Sequence, residues 1–160
     1  MTRVGAMTVT IAVESPLQDD VRGLIAALNE YLLSITPPEF CSHLTVEQMA
    51  DAETTVFIAR DDGRAVACGA LRRHRESVGE VKRMYTMPSH QGQGLGGRIL
   101  AMIEALAREE AFTRLVLETG HCHEAAWHVY ERGGFVRCGP VLDYPPSAYS
   151  VFYEKHLAPL

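Results

Sequence analysis

Apolar residues alternate with polar ones in TVTIAVE, residues 8–14, then recur at helical spacing at Leu17, Val21, Leu24, Ile25, Leu28 and Leu32. The first pattern predicts a strand and the second an amphipathic helix running to about Ser34. Ser15, Pro16 and Gln18 stand at its start as a cap, a first-turn proline and a capping-box partner. TPPEF breaks this helix, and LTVEQMA predicts a short second one. The period then changes to two. TTVFIAR, a DDG turn and AVACGALRRH predict a β-hairpin, and GEVKRMYTM a third strand. Helical spacing returns at Leu95, Ile99, Met102, Ile103 and Leu106, followed by a strand in TRLVLET and a helix in EAAWHVYERGG. FVRC and YSVFYEK predict closing strands. The order β-α-α-β-β-β-α-β-α-β-β predicts an α/β fold, an α+β mixed sheet with helices on its faces. One domain is expected over residues 1–160, with about the first seven loose.

Composition narrows the function classes. Fifteen Lys and Arg against twenty Asp and Glu give a net charge of −5, and there is no basic tract. Nucleic acid and anionic membrane are therefore not expected partners. No apolar run reaches membrane-spanning length, and MTRVGAMTVTIAVES lacks a signal-peptide core. Cys41, Cys68, Cys122 and Cys138 are far apart, without a C-x-x-C pair, so a reduced, cytoplasmic setting is expected.

The most informative stretch is QGQGLGGR, residues 91–98, between a strand and a helix. Consecutive backbone N–H groups there can converge on an anion, reinforced by the helix dipole. Four glycines opening a helix cost roughly 1 kcal/mol each, which calls for a compensating role. Gly92 and Gly97 have P-loop separation, but Arg98 and Ile99 replace the lysine and hydroxyl residue that a P-loop needs. Gly92, Gly94 and Gly97 also satisfy G-x-G-x-x-G, with Glu118 about 20 residues on, as in NAD-binding folds. Against that, PSHQ separates the glycines from their strand, and the strand carries Glu80, Lys82 and Arg83 where a buried parallel strand would be apolar.

The pattern Gln91-x-x-Gly94-x-Gly96, after a strand and a proline, resembles the acyl-CoA signature of the GNAT superfamily of N-acetyltransferases. EVKRMYTMP before it, AAWHVYERGGF after it and the ending CGPVLDYPPSAYSVFYEKHL resemble the small-molecule members, and the likeness covers about residues 54–157. It implies a central mixed sheet of about six to seven strands, flanked by about four helices, with two splayed parallel strands. It also implies acetyl transfer from acetyl-CoA to a primary amine of a small molecule or amino acid, by direct attack in a ternary complex. Met84, Tyr85 and Thr86 would offer backbone groups to the pantetheine arm, with an N–H near Thr86 facing the developing oxyanion. Gln91, Gly92, Gln93, Gly94, Leu95, Gly96 and Gly97 would hold the pyrophosphate. Ala126 would leave room for the cofactor, and Tyr130 would protonate the departing thiolate. Glu80 is the candidate base, with Glu118 in reserve.

Other residues carry weaker signals. Lys82 and Arg83 could clamp a substrate carboxylate, but on an alternating strand they point to opposite faces, so only one can face the site. Asp143 and Tyr144 precede a PPSAY loop that could cover an amine. Trp127 and Phe135 are expected as core or lid aromatics, and His74 and His90 in solvent. His121, Cys122 and His123 are consecutive, and His123 and His128 lie five apart, so neither set converges on a metal. No metal is expected, and His123 could orient substrate or relay a proton. A non-catalytic acyl-CoA sensor is the remaining alternative, and the chain could be a monomer or a homodimer.

Overall fold

The computed structural model describes residues 8–41 and 44–158; the expectation of a loose start falls on residues 1–7, outside them. Seven strands form one sheet: β1 (Val9–Val13), β2 (Thr54–Asp61), β3 (Arg64–Arg73), β4 (Val78–Thr86), β5 (Arg114–Gly120), β6 (Val136–Cys138) and β7 (Ser150–His156). Their order is β1-β2-β3-β4-β5-β7-β6, and only β4 and β5 run parallel as neighbours. Helices α1 (Asp19–Ile35) and α2 (Val46–Met49) cover one face, while α3 (Leu95–Glu109) and α4 (Glu124–Arg132) cover the other. The observed element order is the expected one.

Two-sided cover explains why β3 is buried almost throughout, although its hairpin reads as period two. Val66 and Leu71 pack with Ile99 and Ile103 of α3, whereas Cys68 and Ala70 pack with Val21 and Ile25 of α1. A strand sandwiched in this way is apolar on both faces.

The helix-start reading at Ser15 needs correction. The Ser15 hydroxyl accepts from the Leu17 N–H at 3.2 Å, and Gln18 donates to Glu14 and to the Ser15 carbonyl, each at 3.0 Å. These local bonds hold a turn, so α1 begins only at Asp19 and Leu17 stays 45% exposed. Asp19 and Asp20 then complement the positive end of the helix dipole. A reciprocal capping box does form, but at Thr45 and Gln48, where it starts α2.

Two irregularities place the site. β4 and β5 pair only at Val78–Arg114, Gly79–Leu115 and Glu80–Val116. Beyond that point β4 stays on β3 up to Thr86, and β5 stays on β7 up to Gly120, so the two parallel strands diverge. Within β4 a bulge sets Arg83 and Met84 against Gly69 of β3, with Arg83 at φ +57°. Such a bulge bends the strand and re-aims its side chains.

Gly69, facing the bulge, has no room for a side chain. A Cβ there would collide with Met84 Sδ and, at 2.6 Å, with Ile99 Cγ2. Gly69→Ala is therefore expected to lower the unfolding free energy by about 1–3 kcal/mol through overpacking. Urea denaturation checks this: the midpoint falls while the slope is unchanged.

Candidate active site

The divergence of β4 and β5 opens two adjoining spaces. The larger is a cleft of about 1140 Å³ running from the splay to the N-terminus of α3. The smaller is a cavity of about 120 Å³ between the strands and α1. Leu28, Leu32, Met84, His123 and Tyr130 line both.

The cleft collects most of the expected acyl-CoA residues. Met84, Tyr85 and Thr86 line it, on a stretch of β4 with no partner on the β5 side. Gln91, Gly92, Gly94, Leu95, Gly96 and Gly97 line it at the far end, and Ala126 on α4 stands opposite. Gln93 is exposed and is not among the lining residues. Gln91 donates its side-chain amide to the Thr86 carbonyl at 3.1 Å, which ties the loop to the end of β4.

Gly92 and Gly94 both have φ +78°, a conformation that favours glycine, and a Cβ on either would meet no atom within 4 Å. The loop backbone is thus bare towards the cleft. Gly94 caps α3, whose first intrahelical bond runs from Arg98 N–H to the Gly94 carbonyl. The preceding N–H groups of α3 are free of intrahelical partners, which leaves a cradle of donors for a phosphate-bearing ligand. The residues present therefore fit a coenzyme A group.

Around the small cavity lies a polar network. Glu80, only 2% exposed, sits 2.8 Å from His74 Nε2, 3.3 Å from Lys82 Nζ and 2.6 Å from the Tyr144 hydroxyl that donates to it. Lys82 also donates to the Tyr144 oxygen at 2.6 Å. Burial and the Glu80 charge hold the Tyr144 hydroxyl well above the usual tyrosine pKa, so it stays a donor. The expectation of a solvated His74 is corrected here: its ring is spent on Glu80. His90 is corrected likewise. It pairs with Asp61 at 2.7 Å and lines the cleft.

Glu118 lines the same cavity from β5. Burial raises its pKa above the ordinary carboxylate range; the Ser150 hydroxyl and the Lys82 charge offset part of this, and Glu80 adds to it. Tyr130 is the buried residue of α4, with its ring 6.2 Å from that of Phe135 and 6.0 Å from that of Tyr153. Among the described residues its hydroxyl has no hydrogen-bond partner, and burial, helped by Glu118, pushes its pKa well up. Asp143 is exposed and lies outside both spaces.

The His-Cys-His stretch divides. His121 and Cys122 are exposed, with the His121 ring against Tyr149 at 5.2 Å. His123 turns inward, its Nε2 buried and unpartnered, and burial followed by the nearby His121 lowers its pKa. Among the described residues no group of three or more His, Cys, Asp or Glu is placed to hold a metal ion. Phe135 is a core residue at 2% exposed, and Trp127 donates to the Gly120 carbonyl at 3.0 Å beneath the Arg137 guanidinium.

Arg83 overturns the alternation argument. The bulge lets Lys82 and Arg83 line one cavity, and Arg83 is 7% exposed, not in solvent. No sequence pattern marks that bulge, apart from a glycine on the facing strand.

A mixed sheet splayed between its parallel pair, β4 and β5, with a glycine cradle at the mouth of the splay, defines the fold class of the GNAT acyl-CoA N-acyltransferases. It excludes the doubly wound parallel sheet that a dinucleotide fold requires. The model of the Acetyltransferase (GNAT) family matches residues 25–135, and the chain belongs to that family. It is 40% identical over 150 residues to an IAA acetyltransferase of Azospirillum brasilense, covering 93% of this chain and 98% of the relative. A crystal structure of the acyl-CoA N-acyltransferase class from Klebsiella pneumoniae superposes with a TM-score of 0.80 at 34% identity, covering 96% of this chain and 100% of that one. The PaiA N-acetyltransferase of Thermoplasma acidophilum, solved in complex with coenzyme A, shares the fold at a TM-score of 0.70 and 14% identity, covering 94% and 100%.

Proposed function

We propose that the protein transfers an acetyl group from acetyl-CoA to a primary amine of a small molecule or amino acid, by direct attack in a ternary complex. The supporting observation is the wall shared by the glycine-lined cleft and the small cavity, where Tyr130 lines both and Glu118 lines the inner one. The name of the Azospirillum brasilense relative, an acetyltransferase, agrees with this reading. The donor lies in the cleft, its phosphates on the N–H groups of residues 91–97 and its pantetheine arm along Met84 to Thr86. The acceptor enters the cavity.

An alkylamine of pKa near 10.4 is almost wholly protonated at neutral pH, and presenting it neutral costs roughly 4–5 kcal/mol. A base must therefore take its proton. Glu80 already accepts from Tyr144 and Lys82 and stands beside His74. Glu118 makes none of these ion pairs and burial raises its pKa, so it takes the proton, directly or through water, while Glu80 fixes Lys82 and Tyr144. The amine nitrogen bonds to the thioester carbonyl carbon, the carbon–sulfur bond breaks, Tyr130 gives its proton to the leaving thiolate, and the nitrogen, cationic once bonded, loses its second proton to solvent. The Tyr130 hydroxyl is reprotonated from Glu118 or solvent, which leaves an amide and free thiol.

The cytoplasm is the proposed setting, and among the described residues no helix is long and apolar enough to cross a membrane. The donor assignment is tested by thermal melting with acetyl-CoA, NADH and ATP separately. Acetyl-CoA at about 100 times its Kd is expected to raise Tm by roughly 5–10 °C. A rise with NADH and none with acetyl-CoA contradicts the assignment. A rise with acetyl-CoA without thiol release from any amine favours a sensor.

A further inference from the structure

Among the described residues Arg83 is a buried cation without a counter-charge. Its Nη2 donates to the side-chain oxygen of Asn29, a neutral acceptor, and its Nε is buried with no partner. Among the described residues no carboxylate lies within ion-pair distance of it. The contrast with its neighbours is sharp. Lys82 is matched by Glu80, Arg72 by Asp51, Arg73 by Glu110 and Arg114 by Glu154. A guanidinium does not escape by losing its proton, and an uncompensated buried charge is costly for a fold to keep. Burial accordingly works against the Arg83 charge.

We infer that the acceptor carries one carboxylate and that Arg83 binds it. The inference rests on the acetyl-transfer reading, because it takes the small cavity that Arg83 lines as the acceptor's place. Charge counting selects a monoanion. Lys82 is committed to Glu80, so among the described residues Arg83 is the one Lys or Arg of the cavity left to meet an anion, and a dianionic phosphate would keep a charge unmatched. The planar guanidinium edge suits the planar, two-oxygen geometry of a carboxylate.

Glu118 completes the case. It lines the same cavity with the opposite sign, and it forms no ion pair with Arg83. An acceptor with an amine for Glu118 and a carboxylate for Arg83 answers both. The space of about 120 Å³ is close to that of a cavity known to hold benzene, of about 150 Å³. It thus accommodates the amino and carboxylate ends of an amino acid, with a larger side chain reaching towards the mouth.

The test compares acceptor pairs that differ by the carboxylate alone: phenylalanine with phenethylamine, leucine with 3-methylbutylamine, and β-alanine with ethylamine. Thiol release from acetyl-CoA is followed for wild type and Arg83→Gln. In wild type the carboxylate is expected to raise kcat/KM at least about thirtyfold in one or more pairs. In Arg83→Gln that ratio falls towards one, while the acetyl-CoA-induced rise in Tm persists and shows that the variant is folded. Equal kcat/KM within every pair overturns the carboxylate while acetyl transfer stands, and this wild-type comparison decides even if the variant does not fold. A preference that survives Arg83→Gln overturns the assignment to Arg83. Thiol release with no member of any pair, from enzyme that binds acetyl-CoA, overturns the transfer reading on which the inference depends.

Discussion

Tyr130→Phe is expected to lower kcat about 100-fold or more while leaving acetyl-CoA binding within about twofold of wild type. The hydroxyl has no protein partner among the described residues, so its removal orphans no buried group. The ring keeps its place between Phe135 and Tyr153, and Tm is expected to hold. Burial keeps the hydroxyl protonated well past neutral pH, so the proton donor is always loaded and adds no alkaline limb near pH 7. Isothermal titration for binding and initial rates for kcat separate the two effects. Unchanged turnover removes Tyr130 from the mechanism.

Glu118→Gln is expected to cost about 100-fold or more in kcat/KM, and to do so with a distinctive pH signature. Its folded-state pKa is raised, chiefly by burial. Below that pKa the carboxyl is protonated and cannot take the amine's proton, so wild-type activity rises as pH climbs through it. That limb should lie above the ordinary carboxylate range, and Glu118→Gln should abolish it. Stability runs the other way. A carboxyl whose pKa is raised on folding favours the folded state at low pH, and this contribution is lost as pH rises through the folded pKa. Glu118→Gln is therefore expected to match or exceed wild type in Tm at neutral pH, a stability that the active protein forgoes. Rate profiles across pH and melts at neutral pH check both signs. An acid limb that persists in the variant assigns the base elsewhere.

The order of elements was legible because burial on this sheet writes a period of two or near 3.6 into the chain. The glycine loop was legible because bare backbone and positive φ are demands that glycine alone meets cheaply, as Gly92 and Gly94 do at φ +78°. What the sequence hid was which partner each polar group takes. Ser15 looks like a cap, but its hydroxyl is spent two residues on, and the helix starts later. His74 and His90 look solvated until the fold brings Glu80 and Asp61 to them. Lys82 and Arg83 look opposed because strict alternation is assumed, whereas one bulged residue brings both to the same cavity. Glu80 and Glu118 could be placed at strand positions from the sequence, but Glu80 is encumbered by Lys82 on its own strand, by His74 six residues back and by Tyr144 from 64 residues on.

In the proposed reaction the splay between β4 and β5 brings a thioester and an amine together. The most direct measurement follows free thiol and N-acetylated acceptor in one reaction mixture, by a thiol-reactive dye and by mass spectrometry. The two are expected to appear in equimolar amounts, only with enzyme, acetyl-CoA and acceptor together, and to fall in parallel in Tyr130→Phe. Thiol released without acetylated amine, or at the same rate when the acceptor is left out, would contradict it.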